Sequence, residues 1–473
     1  MSTEEFKHDY GIERVFSSIS DIAGKKITIM GLGLHGGGEA VARFLAKHGA
    51  KLTITDLQTE KKLKPTLQNL KKSKDIDFNT IDFVLGKHVI EDFENADCVI
   101  KNPGVKYDSN IYLAAAKYIE TDLSLFLQFC NSPIIAISGS KGKSSTASAI
   151  HYGLCKAGFD AKLGGNITVS PLSFIDECTE RTPVVIEFSS WQLADLRGRH
   201  ILKPRIGLLT PIVPDHQNWY RAMEPYVDDK KLIYANQSGD DVLICGSSSK
   251  WDDIFAAEAP AHLIRYPSHS TAQWVENISV PGEHQKQNIY NAYLVLGQMG
   301  VKDEDAIKIM QAYPGIEHRL EFFYSWNNLK FYNDTTATVP EAAAAAAQSF
   351  KEPVHFICGG TDKDLDFNVL AQTLAAHTKK KTKSIGSIRL LAGTGTTKLI
   401  KLLKRKKVRY RGPFDDLQSL LEDLRGCFAN QSGVHEQTNT VVVFSPGATS
   451  FGMFKNEFDR GFQFKQHVRS IFN

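Results

Sequence analysis

The stretch Pro133-Ile134-Ile135-Ala136-Ile137-Ser138-Gly139-Ser140-Lys141-Gly142-Lys143-Ser144-Ser145-Thr146 runs from an apolar β-branched segment through a glycine turn into a helical pattern that continues to Leu154. Strand, glycine loop, Gly-Lys-Ser and helix form a phosphate cradle, because backbone N–H groups and the helix dipole converge where phosphate oxygens sit. In this reading Lys143 reaches the terminal phosphates and the Ser144 hydroxyl ligates Mg²⁺. The full P-loop pattern has a glycine five positions before Gly142, where this chain has Ile137, so the loop is a shortened one.

Outward from that loop, β-branched runs alternate with helical patterns. The runs are Lys26–Met30, Lys51–Thr55, Pro133–Ser138, Val184–Phe188, Ile206–Leu209, Asp241–Cys245, Val354–Cys358, Arg389–Leu391 and Thr440–Phe444. The alternation predicts an α/β chain with more than one parallel sheet. Gly31-x-Gly33-x-x-Gly36 follows the first run, and Asp56 stands 20 positions beyond Gly36 at the end of the second, which is a dinucleotide-fold fingerprint. A plain βα turn uses glycines in the same way, so the fingerprint alone does not assign a ligand. Pro340 and Glu341 open a helix over the alanine run Ala342–Ala347, with proline in its first turn and an acid near its positive end.

The chain has 473 residues, too many for one ordinary core. At 42% hydrophobic and 23% charged residues it has a globular composition rather than a disordered or fibrous one. Its formal charge of +3 is small, and the local basic runs Lys379–Lys383 and Lys401–Arg411 read as solvated surface, with no nucleic-acid partner. Seven scattered cysteines without a CxxC pair read as reduced thiols. The polar, acidic first ten residues and the lack of any run near the roughly 20 apolar residues needed to span a bilayer predict no membrane span and a cytoplasmic protein.

Further motifs follow in a fixed order: Gly164-Gly165-Asn166-Ile167, Glu187-Phe188-Ser189-Ser190-Trp191-Gln192-Leu193, Asp215-His216, Gly282-Glu283-His284 with Asn288, His318-Arg319-Leu320-Glu321, Asn333-Asp334, Gly359-Gly360-Thr361-Asp362-Lys363, and Ser445-Pro446-Gly447 leading to Ser450 and Phe454-Lys455-Asn456. With the shortened loop, this ordered set resembles the Mur ligase family, in its D-glutamate-adding branch, over nearly the whole length. Glu187 at the C-terminal end of one apolar strand, and His216 just beyond another, sit where open α/β sheets place ligands, and their oxygen and imidazole groups suit a second Mg²⁺.

The resemblance implies the remaining assignments. ATP is held by Gly139, Ser140, Lys141, Gly142, Lys143, Ser144 and Ser145, with Asn288 on the adenine side, Arg319 on the phosphates and Asp334 on the ribose. Lys143, Glu187, His216 and Lys230 carry the chemistry, and two Mg²⁺ sites draw on Ser144, Glu187, His216 and a carbamylated Lys230. Lys231 is adjacent, so the choice of Lys230 rests on its spacing from Tyr226. Leu34, His35, Asp56, Asn102 and Gly104 occupy the uridine-diphosphate side, Asn166 and Ser189 the sugar-alanine part, and Thr338, Lys363 and Ser450 the amino-acid substrate. The implied substrates are UDP-N-acetylmuramoyl-L-alanine and D-glutamate, and a monomer is expected.

Several positions depart from the family pattern. Thr336 stands where the D-glutamate enzymes often carry lysine, Pro211 where asparagine precedes Asp-His, Gln285 where asparagine follows the histidine, and Glu457 where an aromatic can flank the glutamate. Three domains are expected: a Rossmann-like UDP domain over 1–121, a central P-loop domain over 122–314 and a Rossmann-like amino-acid domain over 315–473, with the active site between them and closure of the last over ATP. The competing readings are another ligase of the superfamily, such as a folylpolyglutamate synthase, which usually lacks the separate first domain, and a nicotinamide-dependent oxidoreductase, which leaves the P-loop unused.

Overall fold

A computed structural model describes residues 15–34, 36–107, 109–167, 169–267, 272–379, 385–429 and 440–473. Three sheets organise them. The first contains β1 (Lys26–Met30), β2 (Lys51–Asp56), β3 (Asp82–Leu85), β4 (Cys98–Lys101) and β5 (Ile119–Glu120) in the order β3-β2-β1-β4-β5, every pair parallel. The second contains β6 (Ile134–Ser138), β7 (Lys162–Gly165), β8 (Val184–Glu187), β9 (Ile206–Leu209), β10 (Val242–Gly246) and β11 (His262–Tyr266) in the order β11-β10-β9-β6-β8-β7, again all parallel.

The third contains β12 (Glu321–Trp326), β13 (Leu329–Asn333), β14 (Val354–Cys358), β15 (Ile385–Leu391), β16 (Arg411–Phe414) and β17 (Thr440–Phe444) in the order β12-β13-β17-β14-β15-β16. Its β12–β13 hairpin is antiparallel and turns through Asn327 at φ +50°, whereas the other pairs are parallel. The sequence pattern predicted parallel pairing only; the short Asn327-Asn328 turn leaves no room for the crossover that a parallel pair needs.

By contact density the chain forms two compact units. One holds the first two sheets with residues 287–307, and the other holds Gln273–Lys286 and everything from Lys308 onward. In the first unit a continuous core joins Ile27, Ile29 and Ile54 of the first sheet to Ala136, Ile186 and Leu209 of the second. The second unit packs its core on both faces of the third sheet, with Val441 and Val443 on one side and Val442 and Phe444 on the other. Strands buried on both faces read as uninterrupted apolar runs, which is why Val-Val-Val-Phe and Ile-Ile-Ala-Ile were legible.

Topology decides where ligands fit. From β1 the chain moves to β2 and β3, while from β4 it moves the opposite way to β5, so the first sheet's switch point lies beyond the carboxyl ends of β1 and β4. In the second sheet the switch point lies beyond β6 and β9 for the same reason. Such points open a crevice for a ligand in doubly wound sheets. The loops Gly31–Gly36 and Asn102–Gly104 sit at the first, and Ser138–Gly142 and Thr210–His216 at the second.

Candidate active site

The cradle is built around two glycines. Gly142 caps the helix Lys143–Lys156 at φ +90°, and a Cβ there would lie 2.4 Å from Asn288 Oδ1. Gly139 has φ +137°, and a Cβ there would meet Thr210 Oγ1 at 2.0 Å. The helix then buries Thr146, Ala147, Ala149, Ile150, Gly153 and Leu154, a stripe of mostly small residues that lets it lie close to the sheet. Asn288 is buried beside the loop, with Thr146 Oγ1 at 3.4 Å from its Oδ1.

Two lysines meet at one carbonyl. Lys143 Nζ donates to the Gly139 and Ser140 carbonyls, each at 3.1 Å, and Lys230 Nζ donates to the same Gly139 carbonyl at 2.8 Å and to Ser138 Oγ at 3.3 Å. Burial lowers the Lys143 ammonium below its ordinary range, against the pull of Glu187 and Asp215. Lys230 is 1% exposed; burial first, and repulsion by Lys143 second, bring its ammonium down to about 7. The Tyr226 ring lies 4.5 Å from the Lys230 ammonium and its hydroxyl is 2.8 Å from Ser140 Oγ, so a residue used in the sequence only to count spacing holds both loop and lysine. Lys231 turns away to Glu258 at 3.1 Å and Asp228 at 3.5 Å.

Glu187 closes β8 opposite Ile137 and is 1% exposed. Its Oε1 accepts from Asn166 Nδ2 at 2.8 Å, whereas Oε2 has no hydrogen-bond partner among the described residues. A buried carboxylate oxygen left without a donor is costly, and a cation satisfies it. His216 is exposed at φ +52°, with its ring 4.8 Å from that of Trp191. Asp215 pairs with Lys141 at 3.4 Å; burial works against, but His216 and Lys141 prevail, and its carboxyl titrates below the usual range. Ser144 and Ser145 are partly exposed in the first helical turn. The Ser140 hydroxyl is committed to Val213, donating to its carbonyl at 2.9 Å and accepting from its N–H at 3.0 Å. Pro211 contributes a carbonyl to Ser140 N–H at 3.1 Å, a bond for which the residue type is immaterial.

At the first switch point Asp56 folds the glycine loop. Its Oδ2 accepts from Leu32 N–H at 2.9 Å and Gly33 N–H at 3.0 Å, and Oδ1 from Gln58 N–H at 2.8 Å. Asn102 Nδ2 reaches the Gly31 carbonyl at 3.4 Å and its Oδ1 accepts from Gly104 N–H at 3.1 Å, so one side chain ties the two loops together. Leu34 is exposed, and His35 lies outside the described residues, as do residues 380–383 of the lysine-rich run. Ser189 caps the helix Ser190–Ala194 in a capping box with Gln192, a role that the Ser-x-x-Gln spacing signals.

In the second unit the remaining residues follow the carboxyl ends of β13, β14 and β17. Asp334 is buried, accepting from Leu320 N–H at 3.1 Å and from Ser445 Oγ at 2.6 Å, and burial pushes its carboxyl up to about 7. Arg319 and Lys363 are exposed, Thr338 partly so, and Ser450 is buried. Thr336 spends its hydroxyl on the His318 carbonyl at 2.9 Å, and the Glu457 carbonyl accepts from Thr335 Oγ1 at 2.8 Å. No motif pointed to Arg460, which is fully buried and donates to Thr335 Oγ1, Thr335 O and Ala448 O. Gln285 donates its backbone N–H to the Gly282 carbonyl at 2.9 Å.

Comparison with known proteins agrees with this geometry. Residues 137–308 match the Mur ligase middle domain, and residues 25–121 the Mur ligase MurD-like N-terminal domain. The chain is 41% identical to the UDP-N-acetylmuramoylalanine--D-glutamate ligase of Treponema pallidum, covering 95% of this chain and 98% of that one. It is 34% identical to the enzyme of the same name from Roseiflexus sp., covering 95% and 99%. Among solved structures it shares its fold with the UDP-N-acetylmuramate-alanine ligase MurC of Thermotoga maritima, at a TM-score of 0.51 and 16% identity over 94% of this chain and 99% of that one. Cradle, switch-point loops and near-full-length similarity converge: the chain belongs to the Mur ligase family.

Proposed function

We propose that this chain is an ATP-dependent, ADP-forming ligase that joins D-glutamate to UDP-N-acetylmuramoyl-L-alanine, a cytoplasmic step of peptidoglycan precursor synthesis performed by a monomer. One observation carries the reading: Lys143 and Lys230 converge on the Gly139 carbonyl in the shortened phosphate loop. A dehydrogenase has no use for that arrangement.

Lys143 neutralises charge on the terminal phosphate while the alanine carboxylate of the UDP-linked substrate attacks the γ-phosphorus. ADP leaves and an acyl phosphate forms. The neutral amine of D-glutamate then attacks the acyl carbon, inorganic phosphate departs with the bonding pair, and the nitrogen gives up a proton to phosphate or solvent as the amide forms. Closure that excludes water protects the acyl phosphate from hydrolysis.

Glu187 Oε2 fits a cation, being buried and without a hydrogen-bond donor among the described residues. Ser144, Glu187, His216 and Lys230 would hold two Mg²⁺ ions, whose positive charge offsets that of the phosphates. Lys230 takes part as a carbamate. Only a neutral amine adds CO₂, and an ammonium brought down to about 7 leaves a large neutral fraction at physiological pH. Gly139 to Ser145, Asn288, Arg319 and Asp334 bind ATP, and the Leu34, His35, Asp56, Asn102 and Gly104 loops bind UDP. Asn166 and Ser189 meet the sugar-alanine part. Thr338, Lys363 and Ser450 hold D-glutamate, where a lysine and hydroxyls match a dicarboxylate. Residues 1–121, 122–314 and 315–473 divide these tasks.

Mass spectrometry of a reaction holding ATP, Mg²⁺, UDP-N-acetylmuramoyl-L-alanine and D-glutamate tests this. The expected product is the UDP-linked dipeptide with stoichiometric ADP and phosphate, abolished by a chelator. Absence of the dipeptide under these conditions refutes the reading.

A further inference from the structure

Away from the phosphate loop, two buried ion pairs join the first sheet to the second. Lys101, the last residue of β4, places Nζ 2.9 Å from Asp195 Oδ2 and donates to the Val105 carbonyl at 3.1 Å. Glu120, the last residue of β5, accepts from Arg199 Nη1 at 2.6 Å; Arg199 also donates to the Ile119 carbonyl, and the Ser124 hydroxyl to Glu120. None of the four side chains is more than 8% exposed. The first sheet supplies one cation and one anion, and the segment 195–199 supplies their complements. Exchanged partners would set Lys101 against Arg199 and Glu120 against Asp195, so the charges admit a single register.

Each end of the Lys101–Asp195 pair continues into a ligand-bearing loop. Lys101 immediately precedes Asn102–Gly104 and closes that loop on itself through Val105. Asp195 is the C-cap of the helix Ser190–Ala194, whose N-cap is Ser189 and which follows Glu187. The proposed substrate reaches from the first of these loops to the second, with UDP at one end and the reacting carboxylate at the other.

We propose that Lys101, Asp195, Glu120 and Arg199 are positioning residues that fix the span between the UDP loop and the Glu187–Ser189 end of the site, so that a substrate anchored by its nucleotide delivers its carboxylate to the phosphate. The proposal rests on the function proposed above. A buried pair set by charge holds the two sheets at one separation, and a displacement of about 1 Å at a reacting group costs on the order of a hundredfold in rate.

The test uses two variants of the full-length enzyme. Asp195→Asn keeps the shape and a hydrogen-bond acceptor but removes the charge, and leaves the Lys101–Val105 bond in place. Lys101→Met combined with Asp195→Leu removes both charges, so that no unpaired ion is buried. In both, kcat/KM for UDP-N-acetylmuramoyl-L-alanine falls about tenfold or more, while KM for ATP stays within about twofold. In Asp195→Asn, calorimetric affinity for UDP alone also stays within about twofold, because UDP does not span the two loops.

Unchanged kcat/KM for the UDP-linked substrate overturns the proposal. So does a fall in UDP affinity as large as the fall for the intact substrate, which makes the pair a support for one loop only. Failure of both variants to fold also overturns it, by making the pair a folding element. A wild-type enzyme that neither binds UDP nor turns over the substrate refutes the proposed function instead, so the two failures are distinguishable.

Discussion

Lys230 lies buried against the Gly139 carbonyl, while its neighbour Lys231 reaches out to Glu258. Their chemistry follows from that difference. Lys230 has its pKa depressed from 10.5 to about 7, so the stability attached to this group is present above pH 10.5 and is lost as pH falls toward 7. Activity that needs its neutral form should therefore rise with pH through about 7. Lys230→Ala is expected to lose most turnover without unfolding, and acetate or formate at high concentration to restore part of it by filling the vacated carboxylate position. Lys231→Ala should turn over normally, and Lys143→Ala should be inactive and beyond rescue, since its missing group is a cation. An active Lys230→Ala enzyme removes Lys230 from the mechanism. Asp334 shows the opposite sign. Its pKa is raised from 3.8 to about 7, so the stability it contributes is present below pH 4 and lost as pH rises through 7. Asp334→Asn should raise stability at pH 8 by about 1 kcal/mol or more, and not at pH 4, while weakening ATP binding; urea unfolding at the two pH values reads this directly. The sequence singles these residues out and could not show their hydrogen bonds. The spacing Ser189-x-x-Gln192 carries the capping-box signature, whereas nothing in Thr-Asp reveals that Asp56 holds the glycine loop.

Among elements, the phosphate-loop helix depends on a backbone that only glycine adopts freely. Gly142→Ala adds a Cβ at 2.4 Å from Asn288 Oδ1 and requires φ +90° of an L side chain. The expected loss is about 2 kcal/mol or more of stability, with nearly complete loss of activity. Adding Asn288→Ala should recover the part due to the clash and leave the part due to φ; full recovery of stability in the double variant would show that strain contributes nothing. The elements also show where sequence reading stops. Every β-branched run singled out became a strand. Those overlooked are mostly edges: β3, β5, β7, β11, β12 and β16 each have a neighbour on one side only. An edge strand need not be apolar on both faces, so Lys-Leu-Gly-Gly and Arg-Gly-Pro-Phe carry no run to find. β4 and β13 are interior but were hidden by Lys101 and by Lys330, Tyr332 and Asn333. Buried Lys101 looked polar because its ion partner lies far along the chain.

Over the whole molecule, the expectation of more than one parallel sheet is met by three sheets, while the grouping of the first two into one compact unit was not written in any local pattern. It arises from the shared core and from Lys101–Asp195 and Glu120–Arg199, contacts between residues 94 and 79 positions apart. Among the described residues no helix is long and apolar enough to cross a membrane. At this scale the proposed function has all parts serve one reaction with one acceptor, although Thr336, expected where the D-glutamate enzymes often carry lysine, gives its hydroxyl to a backbone carbonyl. With no cation at that position, the proposed acidic acceptor would depend on Lys363 and the hydroxyls of Thr338 and Ser450. The measurement that tests this most directly is phosphate release from ATP in the presence of Mg²⁺ and UDP-N-acetylmuramoyl-L-alanine as the amino acid is varied. Release is expected only when all components are present, with D-glutamate the preferred acceptor; preference for a neutral or dibasic amino acid, or release indifferent to the UDP-linked substrate, would refute the proposed function.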